Sequence, residues 1–105
     1  QVIRVPKVSI DHLVIEERRL RPPDLIKIDV EGAEHDVLLG ARQTIEQFRP
    51  IILLATHDFH LKGVKDQCLE FLRSRDYQIK PTDEGKSIRG LEDFVATPSE
   101  MKADL

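Results

Sequence analysis

Side chains able to move a proton or orient a polar ligand gather in two short clusters of this sequence. Asp29, Glu31 and Gly32 follow the apolar run Leu25-Ile-Lys-Ile28, and Thr56, His57, Asp58 and His60 follow Ile51-Ile-Leu-Leu-Ala55. A carboxylate orients hydroxyl and cationic groups or accepts a proton, and an imidazole exchanges protons near neutrality. If the two runs are neighbouring parallel strands, both clusters lie beyond carboxyl ends, where open α/β sheets bind their ligands, and share one crevice. A plainer reading of the same residues stands beside this one. Asp29 and Glu31 then stabilise the start of a helix opening near Ala33, worth a few tenths to ~1 kcal/mol each, and His57 and His60 are half-exposed loop residues. Gly32 lets the chain turn tightly from strand into helix. A third reading joins Asp29, Glu31, His57, Asp58 and His60 in a hydrolytic metal site, since imidazole and carboxylate suit zinc, manganese or iron. No pair among them has the helical i, i+4 spacing that makes metal motifs specific, so no metal is assigned.

The elements that must position these clusters follow from periodicity. Residues 25–30 and 51–56 are short, nearly unbroken apolar runs, as expected of strands buried on both faces of a parallel sheet. Between them the period becomes helical over residues 33–48, with Ala33, Val37, Leu38, Ala41, Ile45 and Phe48 on an inward stripe and Glu34, Arg42, Gln43 and Glu46 opposite. Gly40 inside that stripe implies close packing against a neighbour. A second amphipathic helix spans residues 61–74, with Leu61, Val64, Cys68, Phe71 and Leu72 inward. Tyr77 and Ile79 begin a strand, residues 81–90 are rich in turn formers, and Phe94 to Ala96 form a last strand. Upstream, residues 1–9 suit a weak edge strand. Ser9 offers a cap to a short helix with Asp11 in its first turn, and Pro22 and Pro23 stiffen the connector that follows. Two helical crossovers between buried strands predict right-handed βαβ units, helices on both faces of the sheet, and a closing antiparallel pair at the edge.

Composition sets the bounds. With 105 residues, 40% hydrophobic and 33% charged, residues 1–105 make one domain with a single core. A net charge of −3 creates no field for nucleic acid or an anionic membrane surface, so neither is expected as a partner. One cysteine, Cys68, forms no internal disulfide, and no apolar run approaches the ~20 residues of a spanning helix. A cytoplasmic setting is the expectation. Gln1 opens the sequence and Met101 is its only methionine, so an upstream stretch is expected to have been removed or left out.

The stretch Pro23-Asp-Leu-Ile-Lys-Ile-Asp-Val-Glu-Gly-Ala-Glu34, followed by Val37-Leu-Leu-Gly-Ala41 and Arg49-Pro-Ile-Ile-Leu-Leu54, resembles the signature of FkbM-type methyltransferases. Val8-Ser-Ile-Asp11 is similar to the entry that precedes this signature, and Phe94-Val-Ala-Thr97 to the closing strand. The resemblance implies the C-terminal half of a class I, Rossmann-like sheet, whose strands run in the order 3-2-1-4-5-7-6. Residues 25–29 are then strand four, 51–56 strand five, and the final two strands are six and seven, giving 4-5-7-6 with the last strand antiparallel. It further implies S-adenosylmethionine as cofactor and methyl transfer to a hydroxyl oxygen of a sugar or small natural product. On that footing Asp29 orients cofactor or acceptor, and Glu31 and His57 are the candidate general bases.

Two departures qualify the likeness. The family's glycine-rich turn and acidic ribose contact have no counterpart here, since Gly32, Gly40, Gly63, Gly85 and Gly90 are all spaced differently. Many relatives carry Glu where this chain has Ala55, so that role is absent or has moved to His57 or Asp58. The chain alone is therefore expected to be inactive. A non-enzymatic interaction module, binding through a bare sheet edge, is the alternative from another class, and the same edge predicts a homo-oligomer.

Overall fold

The computed structural model describes residue 4 and residues 7–58, 63–82 and 91–101. Residues 1–3, 5 and 6 of the expected first strand lie outside it, as do His60, Leu61 and most of the turn-rich stretch 81–90. Residues 7–9 carry no regular structure.

Four strands form one sheet in the order β1-β2-β4-β3, where β1 is Leu25–Ile28, β2 Ile51–His57, β3 Tyr77–Pro81 and β4 Leu91–Pro98. β1 and β2 are parallel, in a register that sets Leu25 against Ile51 and Ile28 against Leu54. β4 enters between β2 and β3 and runs antiparallel to both. This is the 4-5-7-6 arrangement of a partial Rossmann-like methyltransferase sheet. The closing pair is antiparallel as expected, but only β3 of the two is an edge strand.

Helices α1, Glu34–Gly40, and α2, Arg42–Phe48, join β1 to β2, and α3, Val64–Arg73, joins β2 to β3. α1 packs on α3 and β2, while α3 packs on β2 and β3. The core is a single layer between helices and sheet. Ile26, Ile28, Ile52 and Leu54 share one cluster with Leu38, Ala41 and Ile45 and with Val64, Cys68, Phe71 and Leu72 of α3. Among the described residues the sheet is not covered on both faces, where the sequence reading expected helices on both. Burial alternates along β1 and β2, leaving Leu25 52% exposed and Leu53 and Ala55 half-buried. The reason is topological: successive crossovers of one hand that advance in one direction put their helices on the same face. Cys68 sits in that core, and burial pushes its thiol up to about 12, which removes it as a nucleophile at neutral pH.

The predicted single helix over 33–48 is broken at Ala41, whose φ of −113° lies outside the helical range. A tertiary contact accounts for the break. Ser9 sits where a side chain on Gly40 would project, its Cβ 3.1 Å from that position, so the close packing expected of Gly40 is present. Ser9 Oγ also accepts the His12 N–H at 3.1 Å, opening the wide-turn helix His12–Glu16. Asp11 reaches across to α2, accepting the N–H groups of Gln43 at 3.0 Å and Thr44 at 2.8 Å and the Thr44 hydroxyl at 2.8 Å. Its carboxylate therefore caps a helix more than thirty residues away in sequence and not its own. Phe48, placed inward by the sequence period, is 43% exposed. Replacing Asp11 by Ala should lower stability by about 2 kcal/mol, the upper range for a lost cap, measured as a shift in the urea midpoint.

The opposite end of β2 is held by Arg49, which ends α2 in the left-handed conformation with φ 54°. Its guanidinium donates to the carbonyls of Arg75 at 2.7 Å and Asp76 at 3.1 Å and to both Glu100 oxygens. It also lies 4.7 Å over the Tyr77 ring, and the buried Tyr77 hydroxyl donates to the Pro50 carbonyl at 2.7 Å. The guanidinium holds the Glu100 carboxyl down to about 2. A carboxyl depressed by folding contributes stability above its unfolded value, and that contribution is lost as pH falls through the folded one. The difference in melting temperature between wild type and Glu100→Gln should thus be present at neutral pH and vanish near pH 2. Among the described residues, no helix is long and apolar enough to cross a membrane.

Candidate functional site

The chain leaves β1 at Ile28, passes Asp29 and Val30, and turns at Glu31 and Gly32, both left-handed with φ 51° and 107°. Glycine takes such a φ without strain, whereas Glu31 must be held there by its surroundings. The holding group is Glu34. It opens α1, its side chain is 0% exposed, and its Oε2 accepts the Gly32 N–H at 2.7 Å. Its Oε1 accepts the backbone N–H of His57 at 2.9 Å. One buried carboxylate thus ties the turn after β1 to the end of β2.

The His57 ring lies between two carboxylates. Nε2 is 3.3 Å from Asp29 Oδ1 and Nδ1 is 3.5 Å from Glu34 Oε2. Exposure differs sharply along this row, being 54% for the Asp29 side chain, 9% for His57 and 0% for Glu34. The structure therefore brings together two sequence candidates, Asp29 and His57, and adds Glu34, which the sequence reading had assigned to the outward face although its i+4 spacing to Leu38 sets it on the buried one. Glu31 has an exposed side chain outside this triangle. Asp58 accepts the Lys65 N–H at 2.8 Å, a cap on the first turn of α3. Lys65 in turn pairs with Glu92 of β4 at 2.6 Å.

Beside Asp29, on the half-exposed face of the sheet, lies an open cleft of about 240 Å³ lined by Lys27, Asp29, Ala55, Thr82 and Asp93 among others. Asp93 stands directly opposite Ala55 in the β2–β4 register and supplies that cleft with a second carboxylate, which sequence reasoning did not single out. Among the described residues, no group of three or more His, Cys, Asp or Glu side chains is arranged to hold a metal ion.

Residues 1–79 match the model of the FkbM methyltransferase domain. The chain belongs to the FkbM methyltransferase family. Membership points to methyl transfer in general as the chemistry of an FkbM site. The matched residues include β1, β2 and the whole Asp29, Glu34 and His57 triangle, and end within β3. Searches of the curated proteins and of the solved structures gave no match.

Proposed function

We propose that this chain forms the acceptor side of an S-adenosylmethionine-dependent methyltransferase site acting on a hydroxyl oxygen of a sugar or small natural product. The observation that carries this reading is the convergence of Asp29 and His57 at adjacent carboxyl strand ends, with Asp29 lining an open cleft. That cofactor has an ammonium group and ribose hydroxyls, and the half-exposed Asp29 carboxylate suits either. The cleft is smaller than the roughly 300–1,000 Å³ of sites that enclose molecules of such size, so these residues fit one side of the cofactor only. When bound, the cofactor supplies an electrophilic methyl group. The acceptor oxygen must then sit about 3 Å from the methyl carbon while a base takes its proton. His57 is our choice of base over Glu31, because its ring is fixed beside Asp29 while the Glu31 side chain faces solvent. Asp29 orients the acceptor or the cofactor and balances charge on the ring.

The test is transfer of a labelled methyl group to hydroxylated acceptors by the chain joined to a strand and glycine-rich turn. Transfer that falls on replacing His57 by Gln supports the reading; bound cofactor with no transfer to any hydroxyl acceptor sinks it. The chain by itself, without a glycine-rich turn, is expected to bind S-adenosylmethionine weakly or not at all, and micromolar affinity by calorimetry would count against this division of labour.

Among the described residues β1 pairs with β2 alone, and Leu25 on that edge is half exposed. An apolar edge strand of this kind recruits another strand. We expect a homo-oligomer joined near residues 25–30 or the N-terminal segment 2–8, visible by sedimentation as a dimer or larger species at high concentration. The same edge suits the reading of the chain as an interaction module, which a partner-binding assay with full retention in His57→Gln would favour.

A further inference from the structure

His57 has two ring nitrogens with different surroundings, and a proton on one leaves the other as the acceptor. Nε2 faces Asp29 at 3.3 Å and Nδ1 faces Glu34 at 3.5 Å, so distance barely separates them. Exposure does. The attraction between a ring N–H and a carboxylate scales inversely with the local dielectric, which changes several-fold between a dry site and water, while the two distances differ by only 0.2 Å. Glu34 is wholly buried and pinned at both oxygens by the Gly32 and His57 amides. Asp29 is more than half exposed, so its charge is screened and its side chain has room to turn toward the neighbouring cleft.

We propose that Glu34 is the positioning residue of this site, holding the His57 imidazole with its proton on Nδ1 and so presenting Nε2 as the nitrogen that accepts a proton from a substrate hydroxyl. Three contacts of one side chain produce this. The bond to the His57 backbone N–H fixes the main chain beneath the ring, the carboxylate 3.5 Å from Nδ1, within ion-pair reach though not hydrogen-bonded to it, selects the tautomer through its charge, and the bond to Gly32 keeps the Glu31–Gly32 turn folded so that Asp29 stays beside Nε2. In the transfer step the acceptor O–H bond would break, its proton passing to Nε2 and its electron pair forming the new bond to the methyl carbon, while the methyl–sulfur bond would break with its electron pair left on the departing thioether. The ring becomes an imidazolium between two carboxylates. Glu34 itself touches neither substrate nor cofactor.

This inference rests on the reading of His57 as the base, and its test is independent of turnover. Long-range nitrogen–proton correlation spectra of the chain, recorded where the ring is neutral and assigned with His57→Gln, identify which ring nitrogen carries the proton. The expected result is the Nδ1–H tautomer in wild type, a shift toward Nε2–H in Glu34→Gln, and retention of Nδ1–H in Asp29→Asn. Hydrogen exchange at the Gly32 amide should also quicken at least tenfold in Glu34→Gln. An Nε2–H ring in wild type, or an unchanged tautomer in a folded Glu34→Gln, overturns the proposal. Should Glu34→Gln fail to fold, the wild-type spectrum decides alone. Methyl transfer persisting in His57→Gln sinks the base role while leaving the tautomer as it is, so the two failures are distinguishable.

Discussion

Replacing Asp29 by Asn in the chain joined to a strand and glycine-rich turn should lower catalytic efficiency on the order of 10²-fold, equivalent to about 2.7 kcal/mol of transition-state stabilisation. Asn keeps the size of the side chain and a polar group beside His57 Nε2, 3.3 Å from the carboxylate in wild type, but removes the charge. If Asp29 serves the reaction, that charge orients cofactor or acceptor and stabilises the imidazolium as it forms. The loss then appears in turnover while the melting temperature stays close to wild type, because a side chain 54% exposed contributes little to folding through a screened ion pair. If Asp29 is only a helix-terminus anion, the pattern reverses: activity is retained and stability falls by up to ~1 kcal/mol. The position favours the first outcome. Asp29 accepts no hydrogen bond from the first turn of α1, since the Gly32 amide is taken by Glu34. Measuring turnover and melting temperature on the same variant separates the two.

Much of this arrangement is legible in the residues. Ile26, Ile28, Ile52 and Leu54 mark β1 and β2 as runs flanked by turn formers, and the change of period after Gly32 marks the helix between them. The strand order needed the resemblance, since nothing in the spacing of Tyr77 and Phe94 says that β4 enters between β2 and β3. Two things were hidden for physical reasons. Leu53 and Ala55 are apolar on the half-exposed face, so β2 reads as buried on both sides although only Ile52, Leu54 and Thr56 meet the helices. Asp11 looks like a cap of its own helix because local sequence holds no sign of α2, whose amides it satisfies from a distance. Both errors come from tertiary partners that a window of ten residues does not contain.

Glu34 is the sharpest instance, and its removal should have the largest effect on stability of any single change in the site. The sequence reading sets it on the outward face, where a carboxylate is ordinarily solvated, yet its i, i+3 and i+4 spacing to Val37 and Leu38 puts it on their side of α1, and Glu34 and Leu38 are the buried residues of that helix. One signal was available: a carboxylate two residues after a left-handed glycine is placed to accept that glycine's N–H. Truncation to Ala would strip the acceptors from two amides, Gly32 N–H at 2.7 Å and His57 N–H at 2.9 Å. Each buried donor left unpaired costs about 1–3 kcal/mol, and the vacated volume adds a cavity penalty. Burying the charge has its own desolvation cost, which Ala relieves, so the net loss should be about 3 kcal/mol, less than the two terms added together. Glu34→Gln should lose roughly half as much, because its one carbonyl oxygen still serves one amide while its NH₂ meets the other. Urea unfolding of the three proteins checks the order wild type, Gln, Ala. Equal midpoints for Gln and wild type would mean that the charge at Glu34 adds nothing to folding; a Gln variant less stable than Ala would mean that the amide clash outweighs the bond it keeps.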